Sequence, residues 1–111
     1  MKVPLKKKDW SSDRRRAMTA TELVTHLAKL EGWCLAGDGP DLAIEKTFSF
    51  INYYETMAFV NAVALIAHVQ DHHPELSVQY GQCVVRFNTQ DVQGISRTDF
   101  NCAAQVDALL A

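Results

Sequence analysis

The sequence predicts an α+β domain with the element order αββαββα, in which a four-stranded antiparallel sheet carries its helices packed on one face. Three observations predict this fold. The chain has 111 residues, which suits one compact domain. Apolar residues recur at helical spacing in three segments, and two pairs of strand-like segments flank glycine-containing turns. Two hairpins separated by a helix are typical of a sheet covered on one side.

The first helix is predicted from a capping box, because Thr19 is followed three residues later by Glu22. Apolar residues then recur at helical spacing at Leu23, Val24, Leu27 and Leu30. Gly32 ends this pattern, since glycine favours the position just after a helix. We therefore expect a helix over about 20–31.

The four strands are predicted as two hairpins. The first joins strands over 33–35 and 42–50 through a cluster rich in glycine and proline. The second joins strands over 76–80 and 83–88, which are rich in Val, Phe, Tyr and Cys, around Gly81. Together these segments supply the strands of one antiparallel sheet.

A second helix begins near Asn52, because Glu55 follows at the spacing of a helix start. The segment over 57–69 has 11 apolar residues of 13, so the helix has no polar face. Thirteen residues are too few to span a bilayer, and no membrane association is expected. Since one small domain cannot cover such a helix on every side, we expect a homodimer or tetramer.

The last helix is predicted after Gly94, where Ser96 and Asp99 have the spacing of an N-terminal cap. Its inward stripe consists of Phe100, Ala103, Ala104, Val106 and Leu110. This helix completes the predicted order of elements.

Charge divides the chain into a basic N-terminal arm over 1–18, expected to be flexible, and a domain over 19–111. The first 16 residues hold seven bases and two acids, a net charge of +5, and the other residues carry −7. A body of this sign repels phosphate, so nucleic acid is disfavoured as a partner, and the arm's role stays open. The N-terminus lacks the apolar stretch of a secretory signal, which predicts a cytoplasmic protein.

The three cysteines, Cys34, Cys83 and Cys102, are scattered and odd in number. This pattern disfavours both a disulfide framework and a cysteine zinc site. We therefore predict that all three are small buried hydrophobic residues and that no metal is bound through them.

Three of the four histidines, His68, His72 and His73, lie within six residues, followed by Pro74. His68 and His72 would share a face if the helix continued. A zinc site is disfavoured because no third ligand lies at a useful spacing. Two interpretations stay open: the histidines cap the helix C-terminus, or they exchange protons with a bound ligand.

The sequence resembles the pterin-4a-carbinolamine dehydratase family over most of its length, from about residue 27 to the C-terminus. The similarity is carried by the segments over 52–62, 72–75 and 94–100, and by Tyr80. In the family signature, His68 takes the first place, the His72-His73-Pro74 run follows, then Tyr80, and Asp99 is the final acid.

The resemblance implies the fold described above, a homo-oligomer and a pocket for a pterin ligand. It also implies removal of water from a 4a-hydroxytetrahydropterin without a metal or organic cofactor. The implied catalytic residues are His72, His73 and Asp99, and the implied substrate-binding residues are His68, His72, His73, Pro74 and Gln90.

Gln90 departs from the family pattern, which has a histidine in a Thr-His pair at this place. An amide forms hydrogen bonds but cannot relay a proton, so the motif is predicted to be impaired. We therefore favour a dehydratase-like protein that acts as an assembly factor or chaperone. Family precedent gives RuBisCO as the client, in carboxysome-bearing bacteria. The alternative is an active 4a-hydroxytetrahydrobiopterin dehydratase in tetrahydropterin recycling, because His72 and His73 are both present.

Overall fold

The structure, a computed structural model, describes residues 6–8 and 15–111. Its main elements confirm the predicted order αββαββα. In chain order they are α1 (Ala20–Leu27), β1 (Cys34–Ala36), β2 (Ala43–Ser49), α2 (Tyr53–Gln70), β3 (Glu75–Gln79), β4 (Gln82–Phe87) and α3 (Arg97–Ala108). Two short 3-10 turns, Gly39–Asp41 and Gln90–Val92, lie in the connecting loops.

The four strands form one antiparallel sheet in the order β1-β2-β4-β3. Arg86 on β4 lies opposite Glu45 on β2 and opposite Glu75 on β3. Side chains alternate between the two faces of a strand, so these charged residues share one face. The opposite face carries the apolar residues that meet the helices.

All three helices pack on the apolar face of the sheet, as predicted. The buried cluster combines strand residues such as Ile44 and Val85 with helix residues such as Phe59 and Val106. The rings of Phe48 and Phe59 lie 4.6 Å apart between centroids. Within the described residues, no helix is long and apolar enough to cross a membrane.

Helix α1 ends at Leu27, four residues before the predicted end. The chain leaves the helix early and turns at Gly32, whose φ of +86° is one that glycine adopts without strain. This turn brings the buried Trp33 to the sheet, where its indole Nε1 donates to the Asp107 carboxylate at 3.0 Å. The need to bury Trp33 therefore overrides the helical pattern that continues to Leu30.

The second hairpin turns at Tyr80 and Gly81, one residue earlier than predicted. Gln79 pairs with Gln82 across the turn. The strands are accordingly displaced by one residue from the predicted bounds, while the hairpin itself is confirmed.

Cys34 is exposed, so the prediction that all three cysteines are buried is wrong for this residue. It lies on the three-residue edge strand β1, opposite Glu45. An edge strand has neighbours on one side only, which leaves Cys34 in solvent. Cys83 and Cys102 are buried, as predicted.

Part of the N-terminal arm contacts the domain. Met18 is buried in the core, and its backbone N–H donates to the carbonyl of Ile95 at 2.8 Å. Residues 1–5 and 9–14 lie outside the described part of the chain. The boundary after residue 18 and the flexibility of the arm stay predictions.

Candidate active site

The histidine segment begins where α2 ends. Asp71 adopts the left-handed conformation, with φ 49° and ψ 45°, and its N–H donates to the carbonyl of His68 at 3.2 Å. The N–H of His72 donates to the carbonyl of Ala67 at 3.0 Å. These bonds close the helix and turn the chain sharply. His72 is thereby buried, while His73 is exposed.

The buried His72 is held by an acid from the other end of the sequence. Its Nε2 lies 2.5 Å from Oδ1 of Asp99, which is fully buried at the start of α3. The imidazole stacks on the ring of Phe87, with centroids 6.1 Å apart and an interplanar angle of 9°. The hydrogen bond and the stacking contact together fix the position and the orientation of the His72 imidazole.

Asp99 is itself anchored through its second oxygen. Oδ2 accepts from the hydroxyl of Thr89 at 2.7 Å and from the backbone N–H of Ser96 at 2.9 Å. The two hydroxyls of Thr89 and Ser96 lie 2.7 Å apart. Since Thr89 gives its only hydroxyl hydrogen to Asp99, Ser96 is the donor in that pair. The capping box predicted at Ser96 and Asp99 thus also forms the support of the site.

This arrangement sets the proton positions on His72. An ionised carboxylate only accepts hydrogen bonds, so Nε2 of His72 carries a hydrogen toward Asp99. Nδ1 is then the nitrogen that can accept a proton, and the resulting imidazolium would be stabilised by Asp99. Asp99 has no exposed surface, so it is a positioning residue that acts through His72.

A cleft of about 440 Å³ lies over the histidine segment. This volume is within the range of about 300 to 1,000 Å³ that is typical of small-molecule sites. The residues that line it are Asp41, Asp71, His72, His73, Pro74, Glu75, Arg86, Asn88, Gln90 and Asp91. The lining is polar and offers both hydrogen-bond donors and acceptors.

The cleft gathers most of the predicted site residues. His72, His73, Pro74 and Gln90 line it together, with Asp99 behind His72. His68 is not among the lining residues, because α2 ends at Gln70 and the left-handed turn that follows separates His68 from His72. The role of His68 in substrate binding stays a prediction that its position does not support.

Sequence reasoning missed several contributors. Thr89 was visible only as the first residue of the family's Thr-His pair, and nothing in its spacing indicated a bond to Asp99. Arg86 lies in a segment whose pattern predicts a strand, and nothing in that pattern indicates a role in the site. It lies 3.7 Å from the Glu45 carboxylate and 4.0 Å from that of Glu75, and it donates to the Asp41 carbonyl at 2.5 Å. Contacts between neighbouring strands can be predicted only when the register of the sheet is known.

Among residues 6–8 and 15–111, no three His, Cys, Asp or Glu side chains are grouped so that they could hold a metal ion.

Comparison with known protein families identifies the family to which this chain, with its histidine segment and Asp99, belongs. The family model described as pterin 4 alpha carbinolamine dehydratase matches residues 16–109. The chain belongs to this family. The resemblance found in the sequence is thus confirmed for most of the chain, and the His72-His73-Pro74 run of the family motif lines the cleft.

Relatives in this dehydratase family are similar over nearly the whole chain. A Paracidovorax citrulli protein is 66% identical over 107 residues, which cover 96% of this chain and 92% of the relative. A Bdellovibrio bacteriovorus protein is 50% identical over 109 residues, covering 95% of this chain and 86% of the relative. Both are named as candidate pterin-4-alpha-carbinolamine dehydratases.

Two solved structures share the dehydratase fold. The transcriptional coactivator/pterin dehydratase of Brucella melitensis superposes with a TM-score of 0.80 at 27% identity, covering 86% of this chain and 100% of the other. A pterin dehydratase-like protein identified as a RuBisCO assembly factor in the alpha-carboxysome gives a TM-score of 0.61 at 24% identity, covering 71% and 89%. The second likeness shows the fold alone.

Proposed function

We propose that this protein is a 4a-hydroxytetrahydropterin dehydratase. The observation that carries the proposal is the buried pair of His72 and Asp99, which opens onto a polar cleft beside His73. The pair has the geometry of a general base held by an acid. The membership of the chain in the dehydratase family supports the same substrate class.

In the proposed reaction, Nδ1 of His72 accepts the proton from N5 of the pterin. The electron pair of the N5–H bond forms the double bond between N5 and C4a. The C4a–O bond breaks, and the leaving oxygen keeps its electron pair and takes a proton from a protonated His73. The products are water and the quinonoid dihydropterin, so atoms and charges balance without a cofactor.

Gln90 has a binding role in this proposal. It lies in the 3-10 turn Gln90–Val92 and lines the same cleft as the histidine segment. Its amide can donate to and accept from the pterin ring, but it cannot titrate. The absence of a histidine there removes one acid/base group, and such a loss typically costs about 10² to 10⁴ in rate. We therefore expect turnover that is slower than a histidine at this place would give.

The second candidate function is that of an assembly factor for another protein, as favoured from the sequence. Gln90 supports the assembly-factor function, because a site that lacks one acid/base group is less suited to catalysis. RuBisCO as the client and a location in the carboxysome rest on the 24% identical neighbour alone, so the dehydratase proposal ranks first.

The dehydratase proposal is tested by measuring carbinolamine dehydration with the natural protein and with His73→Ala. We expect the variant to lose turnover by about 10² to 10⁴. His26→Gln is the matched control, because His26 is a partly buried histidine on α1 that contacts Phe100 and not the cleft. Equal turnover in the natural protein and His73→Ala would refute the assignment.

A further inference from the structure

The described residues of the basic arm contact the two segments that carry the cleft. Lys8 donates its backbone N–H to the carbonyl of Val69 at 2.6 Å, in the last turn of α2. Nζ of Lys7 lies 3.3 Å from Oδ1 of Asp71, the left-handed residue that precedes His72. The last carbonyls of a helix lack partners within the helix and favour nearby cations. Lys7 and Lys8 therefore form part of the C-terminal cap of α2.

A second ion pair joins the arm to the turn that carries Gln90. Arg15 lies 3.8 Å from the carboxylate of Asp91, in the turn that begins with Gln90. The Arg15 side chain is 19% exposed, although arginine is usually a surface residue. Next to it, Met18 is joined to Ile95 by a backbone hydrogen bond. The arm thus contacts both the loop after α2 and the loop before α3.

The two acids that receive these bases both line the cleft. Asp71 is two residues before His73, and Asp91 is next to Gln90. The family match begins at residue 16, so Lys7, Lys8 and Arg15 lie outside the part of the chain that the family model describes. Their contacts are a feature of this chain rather than of the family motif.

We propose that Lys7 and Arg15 are positioning residues, which hold the two loops of the cleft in the geometry that binds a pterin. This inference rests on the proposed function for its catalytic consequence. Lys7 acts on the loop of His73 through Asp71, and Arg15 acts on the turn of Gln90 through Asp91. Neither base is required to touch the ligand.

The experiment compares the full chain with a double variant, Lys7→Gln with Arg15→Gln. Hydrogen exchange at the amides of Asp71 and Gln93, both bonded within the two loops, reports loop order without any ligand. The affinity for 7,8-dihydrobiopterin, which has no 4a-hydroxyl to lose, and the split between KM and kcat report on the cleft. We expect faster exchange, and KM and Kd raised about two- to fivefold, as exposed ion pairs support.

Two further variants separate positioning from general charge effects. Arg16→Gln removes one positive charge from the same arm, but Arg16 pairs with Glu22 of α1 at 2.6 Å and not with the cleft. We expect Arg16→Gln to leave exchange and KM unchanged. Arg15→Lys keeps the charge. Placed in the double variant instead of Arg15→Gln, it should restore most of the loop order and pterin affinity that Arg15→Gln removes, while kcat stays within about twofold throughout.

The outcomes distinguish this inference from the proposed function. If the natural protein neither binds nor converts pterins but the double variant exchanges faster than Arg16→Gln, the loops are held as inferred and the dehydratase proposal fails. If exchange is unchanged in the double variant, or if Arg16→Gln has the same effect, the inference is overturned. Faster exchange with an unchanged KM also overturns it.

Discussion

His72 and Asp99 are 27 residues apart in sequence, yet Nε2 of His72 lies 2.5 Å from Oδ1 of Asp99 in the interior of the domain. This hydrogen bond joins the exit of α2 to the N-terminus of α3. Because the second oxygen of Asp99 is occupied by Thr89 and Ser96, the carboxylate cannot turn away from the imidazole. The Asp99 carboxylate therefore both caps α3 and holds His72 in the site.

Asp99→Asn should reduce turnover by about 10² or more, because an amide does not stabilise the imidazolium of His72. The free energy of unfolding should also fall, by about 1 to 3 kcal/mol, since the amide keeps only one of the two acceptor oxygens and leaves a buried donor without its partner. Steady-state kinetics and urea denaturation measure the two effects.

Asp107→Asn is the matched control for this variant. Asp107 is also on α3 and accepts from the Trp33 indole at 3.0 Å and from Lys46 at 2.9 Å. It should lower stability but leave turnover intact. An equal loss of turnover in both variants would mean that Asp99 acts through stability alone.

The cysteines should differ in reactivity. Burial raises the pKa of the Cys102 thiol to about 12, helped by the charge of Asp99, and burial also raises the pKa of the Cys83 thiol. A thiol reacts as the thiolate, so at pH 8 we expect one fast-reacting thiol per chain toward a coloured disulfide reagent. That thiol is Cys34, and Cys34→Ser should remove the fast phase. Two or more fast thiols in the native protein would contradict the burial described above.

Glu22 should remain ionised at mildly acidic pH values at which an ordinary glutamate is already protonated. Its hydrogen bond to Arg16 is the largest cause that lowers the pKa of this carboxyl from 4.5 to about 2. Because the pKa in the folded state is the lower one, the stabilising effect is present above about pH 4.5 and is lost as the pH falls through about 2. An NMR titration should show this value, and Arg16→Gln should raise it. A pKa near 4.5 in the natural protein would show that the pair does not form.

We propose that the protein self-associates through the outer face of α2. Tyr54, Ala58, Asn61 and Leu65 follow one another at helical spacing and are all exposed, with Tyr54 at 87% and Leu65 at 51%. Leu65→Arg should shift the natural oligomer toward monomer in light scattering, because a charge cannot be buried there unpaired. Leu110→Arg, at an exposed leucine near the end of α3, should not. A natural protein that is monomeric at micromolar concentration would refute this proposal.

Caps predicted where each helix begins, but two residues of the predicted inward stripe of α3, Ala104 and Leu110, are exposed, so that part of the prediction is wrong. Thr19, Asn52 and Ser96 all begin helices as predicted. The side chains of Thr19 and Asn52 accept from backbone N–H groups that the helix leaves open, and at α3 the Asp99 carboxylate accepts from the backbone N–H of Ser96. The end of α1 could not be predicted in this way, because the burial of Trp33 against the sheet decides it. Tertiary packing sets such boundaries.

The site was predictable in its residue types but not in its geometry. The His72-His73-Pro74 run and Gln90 were recognised from the family resemblance, and the cleft brings them together. The burial of His72 and the exposure of His73 depend on the left-handed turn at Asp71, which no spacing rule predicts. The contacts of Lys7 and Arg15 could likewise not be predicted from the sequence, because a cluster of basic residues does not indicate which acidic residues will pair with it.

The most direct test of the account is the rate of 4a-carbinolamine dehydration by the natural protein beside its Gln90→His variant, each compared with the uncatalysed rate. The account predicts that the natural protein exceeds the uncatalysed rate and that Gln90→His is faster still, since a group that can titrate is added to the same cleft. If both proteins match the uncatalysed rate, the cleft of His72 and His73 is not a dehydratase site, and the protein-binding function takes its place.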